Sequence, residues 1–501
     1  MMLLRQLVEE LPILQISGPI DMSIGSLEWD SRRVEPGDVF VAIRGGQEQD
    51  RHLFIPHALE RGARAIIVEE EGEHPGATQI VVANCRQALA KLAARYYNYP
   101  GRSLRLVGIT GTNGKTTTAL LLQQVLEAAG VKCGYLGTLG RIVSDGFEPL
   151  ANTTPEAPEL HRQLRGMVDA GKRAAVLEAS SHGLALERVS GLQFTAAVFT
   201  NFTRDHLDFH LTEENYFAAK ARLFEELDES AGGIGVVNVD DPVAEALIGR
   251  IGVPVTTYGW GDGAAIRLLA MEPNKAGMRL RVQTPSGELD VDTPLTGRFN
   301  SYNVIAALAT GLGLGLDVDA VRRGIAAVER IPGRFEQVVA GQGFQVIVDY
   351  AHTPDGLETV LKAARELTRE RLICVFGCGG DRDRGKRPQM GRIGAERADL
   401  VFLTSDNPRS EDPEEILAEI ASGMESGANA QILENRGQAI KEALTIARQG
   451  DVVVIAGKGH EAVQILAEGT VPFDDREVAR QVLEELTGRS ERERWAGEEG
   501  V

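Results

Sequence analysis

The sequence predicts an α/β protein of three domains: a small N-terminal α/β domain over 1–100, a central P-loop domain on a mainly parallel sheet over 101–333, and a C-terminal Rossmann-like α/β domain over 334–490. Three observations carry this. Short apolar runs alternate with helix-length stretches, the pattern of parallel sheets covered by helices. Glycine and proline punctuate that alternation at Tyr97-Asn98-Tyr99-Pro100-Gly101 and at Ile331-Pro332-Gly333. The length of 501 residues fits three domains at about 150 residues each.

Taken in order, Val39 to Ile43 and Ala65 to Val68 read as strands around a helix from Pro56 to Arg61. In the central domain the apolar runs Leu104 to Ile109, Ala174 to Leu177, Ala196 to Phe199 and Gly235 to Asn238 read as strands, with a helix over Ala119 to Ala129. The alternation restarts with Gln345 to Asp349, Leu372 to Phe376, Leu400 to Leu403 and Asp451 to Ala456. The end of the chain is rich in Glu and Arg, and residues 491–501 are expected to form a flexible tail.

The chain is 43% hydrophobic and 25% charged, an ordinary balance for a globular protein. Its formal net charge of −19 argues against general nucleic-acid binding, which needs a positive field. Any anionic substrate must then be held by local arginine, lysine or metal. No run approaches the roughly 18 apolar residues of a membrane span, so a cytoplasmic protein without an integral membrane segment is expected. Cys85, Cys133, Cys374 and Cys378 lack paired zinc spacing and read as reduced and buried.

The most informative stretch is Gly108-Ile109-Thr110-Gly111-Thr112-Asn113-Gly114-Lys115-Thr116-Thr117-Thr118, between a strand and a helix. Glycines let backbone N–H groups curl around a polyphosphate, Lys115 brings charge to the distal phosphates, and the Thr116 hydroxyl is placed for a Mg²⁺ shell. The motif departs from the general P-loop, with Ile109 at the first required glycine. ATP or a close relative is expected. The motif alone leaves the reaction open.

Two polar clusters follow strand ends, where ligands bind in open α/β sheets. Glu178-Ala179-Ser180-Ser181-His182 is one, and Thr200 to His210 the other. Glu178 and His206 are candidates to share a metal with phosphate oxygens, against the plainer reading of loop caps and a core histidine. Lys220 lies in an amphipathic helical stretch and reads, on spacing alone, as a solvated lysine. Gly377 to Pro388 gathers cations among glycines and reads as a local anion reader. Thr404 to Arg409 and Ala456 to Glu461 both follow strands of the third sheet. Asn407 offers an amide, Arg409 a carboxylate clamp and Glu461 an acceptor for an ammonium, which together describe a pocket for a zwitterionic amino acid. Ordinary turn chemistry is the alternative.

At these residues the chain resembles the Mur ligase superfamily. The motifs include Asp30-Ser31-Arg32, Thr110 to Thr117, Asn152-Thr153-Thr154-Pro155, Glu178 to His182, Asp205 to Asp208, Lys220, Gly297 to Asn303, Gly333 to Glu336, Asp349 to Pro354, Asp406 to Arg409 and Gly457 to Glu461. The irregular P-loop is the form typical of that family. The resemblance implies ATP-dependent amide-bond formation in peptidoglycan precursor synthesis, through an acyl phosphate. It implies that Gly111, Thr112, Asn113, Gly114, Lys115, Thr116 and Thr117 bind phosphates, and that Asn300, Asn303, Arg334, Asp349 and His352 contact the nucleotide. Thr116, Glu178, His206 and Lys220 would hold Mg²⁺, with Lys220 as a CO₂-derived carbamate.

For the UDP-linked substrate the resemblance implies contacts from Ser31, Gly46, Gln47 and Glu48 on the uridine side, and from Asn152, Thr153, Thr154, Ser180, Leu186 and Arg188 on the muramoyl-peptide side. Leu186 stands where some members carry Gln, and Leu211 where Gly is common. The family members that join meso-diaminopimelate to UDP-N-acetylmuramoyl-L-alanyl-D-glutamate carry the motif that stands here at Asp406, Asn407, Pro408 and Arg409, and the resemblance implies that Arg382, Gly457 and Glu461 complete that subsite. The distal carboxylate, absent from lysine, would pair with Arg409. A lysine-adding, dipeptide-adding or folylpolyglutamate-type ligase is the nearest alternative, and a P-loop nucleotide switch a remoter one that leaves the amino-acid pocket unused. A monomer that closes on its substrates is expected.

Overall fold

The computed structural model describes residues 2–45, 50–144, 146–227, 229–274, 277–425 and 427–498. The chain forms two compact units, one comprising Met1–Glu272, Arg279–Asp292 and Tyr302–Ala327, the other Pro273–Met278, Thr293–Ser301 and Val328–Val501.

The first unit carries two sheets. The N-terminal one runs in the order Ile13–Ser17, Thr78–Val82, Ala65–Val68, Val39–Val41, Leu27–Glu28, antiparallel at its first pair and parallel beyond it. The strand expected to reach Ile43 ends at Val41, although Ala42 and Ile43 stay buried. The helix Cys85–Tyr96 is capped by Asn84, whose side chain accepts from the N–H groups of Arg86 and Gln87. It covers this sheet and packs on the helix Ala157–Asp169.

The second sheet of this unit has ten strands among the described residues. Its order is Gly287–Thr293, Gly277–Thr284, Ile266–Asn274, Val255–Gly259, Ile234–Asn238, Ala196–Phe199, Arg105–Thr110, Ala174–Glu178, Cys133–Gly137, Gly140–Ile142. The P-loop strand Arg105–Thr110 lies inside it, parallel to both neighbours, with Ile109 beside Glu178 and Thr110 beside Phe199. That register sets the P-loop, Glu178 and Thr200 along one carboxyl edge. Behind the loop, the helix Lys115–Ala128 packs so closely on Val318–Ala326 that a Cβ on Gly324 would stand 2.4 Å from the Val125 Cα.

The second unit is a three-layer α/β body. Its sheet runs Glu336–Gln337, Gln345–Asp349, Val452–Ala456, Leu372–Phe376, Leu400–Leu403, Ala430–Ile432, parallel except at the first pair. Alternate residues feed two cores. Leu372, Cys374 and Phe376 face the layer of Pro354–Leu367, Lys386–Arg397 and Pro413–Ala421, while Ile373 and Val375 face that of Arg436–Ile446 and Asp475–Glu498. Strands buried on both faces read as continuous apolar runs, which is why the sequence exposes them. Three α/β sheet domains are thus present, as expected. The tail expected over 491–501 falls where side chains, and from 499 the backbone, lie outside the described residues. Among the described residues no helix is long and apolar enough to cross a membrane.

Candidate functional site

In the first unit the P-loop is held by both conformation and space. Gly111 has φ +148° and a Cβ there would stand 1.8 Å from Thr200 Oγ1; Gly114 has φ +83° and a Cβ would stand 2.3 Å from Asn303 Oδ1. Only glycine fits either position. The loop is also propped from the next strand end. Thr112 N donates to the Asn201 carbonyl at 2.8 Å, Asn113 N to Asn201 Oδ1 at 2.8 Å, and Thr200 Oγ1 to the Asn113 carbonyl at 2.6 Å. Asn303 accepts from Thr118 Oγ1 at 3.3 Å. Thr116 and Thr117 are buried in the first turn of the helix.

Glu178 is fully buried and its carboxylate accepts from four donors: Tyr135 OH at 2.5 Å, Thr138 N at 3.1 Å, Thr138 Oγ1 at 2.9 Å and Thr116 Oγ1 at 3.1 Å. These partners tie the carboxylate to the P-loop hydroxyl and fix its orientation. Tyr135 and Thr138 escaped the sequence reading, because they reach Glu178 across the sheet and no local spacing announces them.

Lys220 overturns the plain reading of a solvated lysine. It lies in the helix Glu213–Glu225, is 2% exposed, and its Nζ donates to the Gly111 carbonyl at 2.7 Å while standing 4.3 Å from the Tyr216 ring centroid. Lys115 Nζ donates to that same carbonyl at 2.8 Å, and to Thr112 O at 2.8 Å. Burial first, and the neighbouring Lys115 charge second, push the Lys220 ammonium well below its usual range. His206, at φ +54°, has its Nε2 3.3 Å from Asp205 Oδ2 and packs edge-on to His182 at 4.7 Å. Burial holds it down to about 3, hence neutral with a lone pair to offer near neutral pH.

A hard cation such as Mg²⁺ takes one or two carboxylates together with phosphate oxygens and water. The Thr116 and Glu178 pair beside the P-loop, with neutral His206, suits that sharing. Among the described residues no group of three or more His, Cys, Asp or Glu is arranged to hold a metal alone.

On the same unit, Thr154, Ser180 and Arg188 come together. Thr154 Oγ1 donates to the Glu178 carbonyl at 2.8 Å and lies 3.0 Å from Ser180 Oγ, while Arg188 donates to the Thr154 carbonyl and to Glu156, both at 3.0 Å. Thr153 Oγ1 lies 3.2 Å from Thr138 Oγ1, and Asn152 is exposed. Leu186 is half-buried, and its carbonyl accepts from Arg86 at 3.4 Å. Ser31 is buried beside His57 Nδ1 at 3.0 Å. Gly46, Gln47 and Glu48 lie outside the described residues.

The second unit holds the amino-acid motif residues. Asn407 is buried; its Nδ2 donates to Glu461 Oε2 at 2.9 Å, and its Oδ1 accepts from Lys458 Nζ at 2.9 Å and from Ile465 N at 3.0 Å. Lys458 also donates to Glu461 at 3.0 Å. Glu461, expected as an open acceptor for an ammonium, therefore already has an internal cation, which the sequence reading passed over inside Gly457-Lys458-Gly459. Gly457 has φ +117°, and a Cβ there would stand 2.5 Å from Asp406 Oδ2. Pro408 leads to Arg409, at φ +55°, which donates to the Gly380 carbonyl at 2.8 Å.

Arg382 is exposed and donates to the Asp381 carbonyl at 2.8 Å. The anion reader expected over Gly377 to Pro388 is narrower than its charge count. Arg384 pairs with Glu419, Lys386 donates to the His352 carbonyl at 2.8 Å, and Arg387 is buried among carboxylates. Nearby, Asp349 accepts from Phe335 N at 2.7 Å and Ala351 N at 2.8 Å, with burial raising its carboxyl. Arg334 stands 4.7 Å from the Tyr350 ring, His352 Nδ1 lies 2.8 Å from the Tyr350 carbonyl, and Asn300 donates to the Thr296 carbonyl at 2.8 Å.

Three family models match in succession: "Mur ligase family, catalytic domain" over residues 23–97, "Mur ligase middle domain" over 109–311, and "Mur ligase, glutamate ligase domain" over 333–459. A UDP-N-acetylmuramoyl-L-alanyl-D-glutamate–2,6-diaminopimelate ligase from Syntrophomonas wolfei is 44% identical over 96% of this chain and 99% of its own. A ligase of the same name from Gloeobacter violaceus is 45% identical over 94% of this chain and 96% of its own. A solved structure of a ligase of that name superposes with a TM-score of 0.69 at 34% identity, covering 97% of this chain and 99% of the other.

Proposed function

The chain belongs to the Mur ligase family, and from that premise we propose that it joins meso-2,6-diaminopimelate to UDP-N-acetylmuramoyl-L-alanyl-D-glutamate at the expense of ATP. The observation that carries this reading is the 44% identity, over nearly the full length of both chains, to a ligase named for those two substrates. The local geometry supports it: phosphate-binding, carboxylate and buried-lysine groups surround one loop, and an Asn407, Lys458 and Glu461 network backs the Asp406 to Arg409 motif.

An oxygen of the D-glutamate γ-carboxylate attacks the γ-phosphorus of ATP, and the bond to ADP breaks. A carboxylate resists nucleophiles until one oxygen becomes a phosphate leaving group. The free amine of diaminopimelate then adds to the activated carbonyl carbon, and phosphate departs as the amide forms. Lys115 and the P-loop N–H groups stabilise the transferred phosphoryl charge. Thr116, Glu178, His206 and a carbamate on Lys220 would hold Mg²⁺, which when bound supplies neutralisation of crowded anionic oxygens. Burial favours a neutral Lys220 amine, the form that adds to CO₂, and the resulting carbamate would replace a repulsion from Lys115 by an attraction.

Ser31, Thr154, Ser180 and Arg188 would hold the nucleotide-linked dipeptide, and Asn303 would stand behind the loop that takes the ATP phosphates. Arg409 and Arg382 would recognise the distal carboxylate, with Gly457 and Glu461 at the amino-acid head. Mass spectrometry of the product tests the reading. The nucleotide substrate should gain the mass of diaminopimelate less one water; a gain of lysine in equal yield from an equimolar mixture would sink it.

A further inference from the structure

Loops 379–382 and 407–411 carry Arg382 and Arg409, and one buried side chain lies behind both. Arg387, in the first turn of the helix Lys386–Arg397, is 0% exposed. Its Nη1 donates to Glu411 Oε2 at 2.9 Å and to Glu419 Oε2 at 2.7 Å, and its Nη2 donates to Glu411 Oε1 at 2.9 Å and to the Gly379 carbonyl at 3.2 Å. Glu411 Oε1 also accepts the backbone N–H of Asp381 at 2.5 Å.

The two loops are further stitched together. Gly380 N donates to the Asn407 carbonyl at 2.9 Å, Arg409 Nη1 to the Gly380 carbonyl at 2.8 Å, and Ser410 Oγ to Asp381 Oδ1 at 2.7 Å. A Cβ on Gly380 would stand 1.8 Å from the Pro408 carbonyl oxygen, so the loops meet without slack. Burying an ion pair returns little net stability compared with packed apolar groups, whereas a two-pronged guanidinium–carboxylate contact fixes both distance and direction.

We propose that Arg387 and Glu411 are positioning residues for amino-acid selection: without touching substrate, they set the separation of loops 379–382 and 407–411, and so where Arg382 and Arg409 meet the distal carboxylate. The claim rests on the functional reading above. Lysine in place of Arg387 keeps the charge but loses the fork. Glutamine in place of Glu411 presents an N–H group where Arg387 or Asp381 donates.

Steady-state kinetics on the full chain tests this with Arg387→Lys, Glu411→Gln and Glu419→Gln. The first two should raise KM for meso-diaminopimelate about tenfold or more, with kcat and KM for ATP within about twofold, and should shrink the preference over lysine. Glu419→Gln, which leaves the Glu411 fork intact, should move none of these. Should Arg387→Lys fold poorly, Glu411→Gln carries the same readout. Parallel rises in KM for ATP and amino acid, equal effects of the two glutamine variants, or an unchanged KM for diaminopimelate would overturn the proposal. A wild-type enzyme that used lysine equally would contradict the functional reading alone. The positioning claim would then be decided by KM for the accepted amino acid in the same variants.

Discussion

Lys220 and Lys115 share one acceptor, the carbonyl of Gly111, at 2.7 and 2.8 Å. Two lysine nitrogens on one carbonyl, with Lys220 buried and its ammonium form disfavoured, form an arrangement in which a carbamate on Lys220 would attract Lys115. Lys220→Ala is therefore expected to lose nearly all ligase activity and to recover part of it with added short carboxylates, measured as ADP release. Full activity without rescue would contradict the carbamate. A second residue-scale prediction concerns His161, which is 1% exposed with both ring nitrogens lacking a partner among the described residues. Burial lowers it from 6.5 to about 4. The folded chain thus keeps it neutral while the unfolded chain takes up a proton, so its contribution is intact above about pH 6.5 and is lost as pH falls toward 4. The loss is on the order of 2–3 kcal/mol. Urea unfolding of His161→Met should show a smaller drop between pH 7 and pH 4.5 than wild type; equal drops would contradict this.

At the scale of elements, the short helix Leu207–His210 ends at Leu211 with φ +67° and ψ −42°, and Thr212 N donates to the His210 carbonyl at 2.8 Å. That is a γ-turn of the strained, positive-φ kind, on a leucine 76% exposed. The departure from glycine noted in the sequence therefore has a definite local effect. Strain of about 1–3 kcal/mol outweighs the entropy of a glycine, about 0.5–1 kcal/mol. Leu211→Gly should raise the thermal midpoint of unfolding, and a lowered midpoint would contradict the turn assignment. The strands around the site were legible because Val452 to Ile455 and Leu372 to Phe376 are apolar on both faces. The edge strand Gly287–Thr293 and its neighbour Gly277–Thr284 were not, because their alternating burial leaves no continuous apolar run.

For the whole molecule, ordered motifs made the three larger sheets of the described residues and the glycine-rich loop readable from sequence. Contacts between distant residues were not readable: Tyr135 on Glu178, Asn201 on Asn113, Lys458 on Asn407, and the burial of Arg387 behind an apparent anion reader. Each depends on which strands become neighbours, and one-dimensional spacing does not encode that. The central claim is that ATP cleavage is coupled to joining two specific substrates. Phosphate release should therefore be measured with each combination of ATP, UDP-N-acetylmuramoyl-L-alanyl-D-glutamate and amino acid. Sustained release is expected only when all three are present, with meso-diaminopimelate favoured over lysine by about 10² or more, since in the proposed subsite lysine would leave Arg409 without a carboxylate. Equal turnover with lysine, or sustained release without the nucleotide dipeptide, would contradict it.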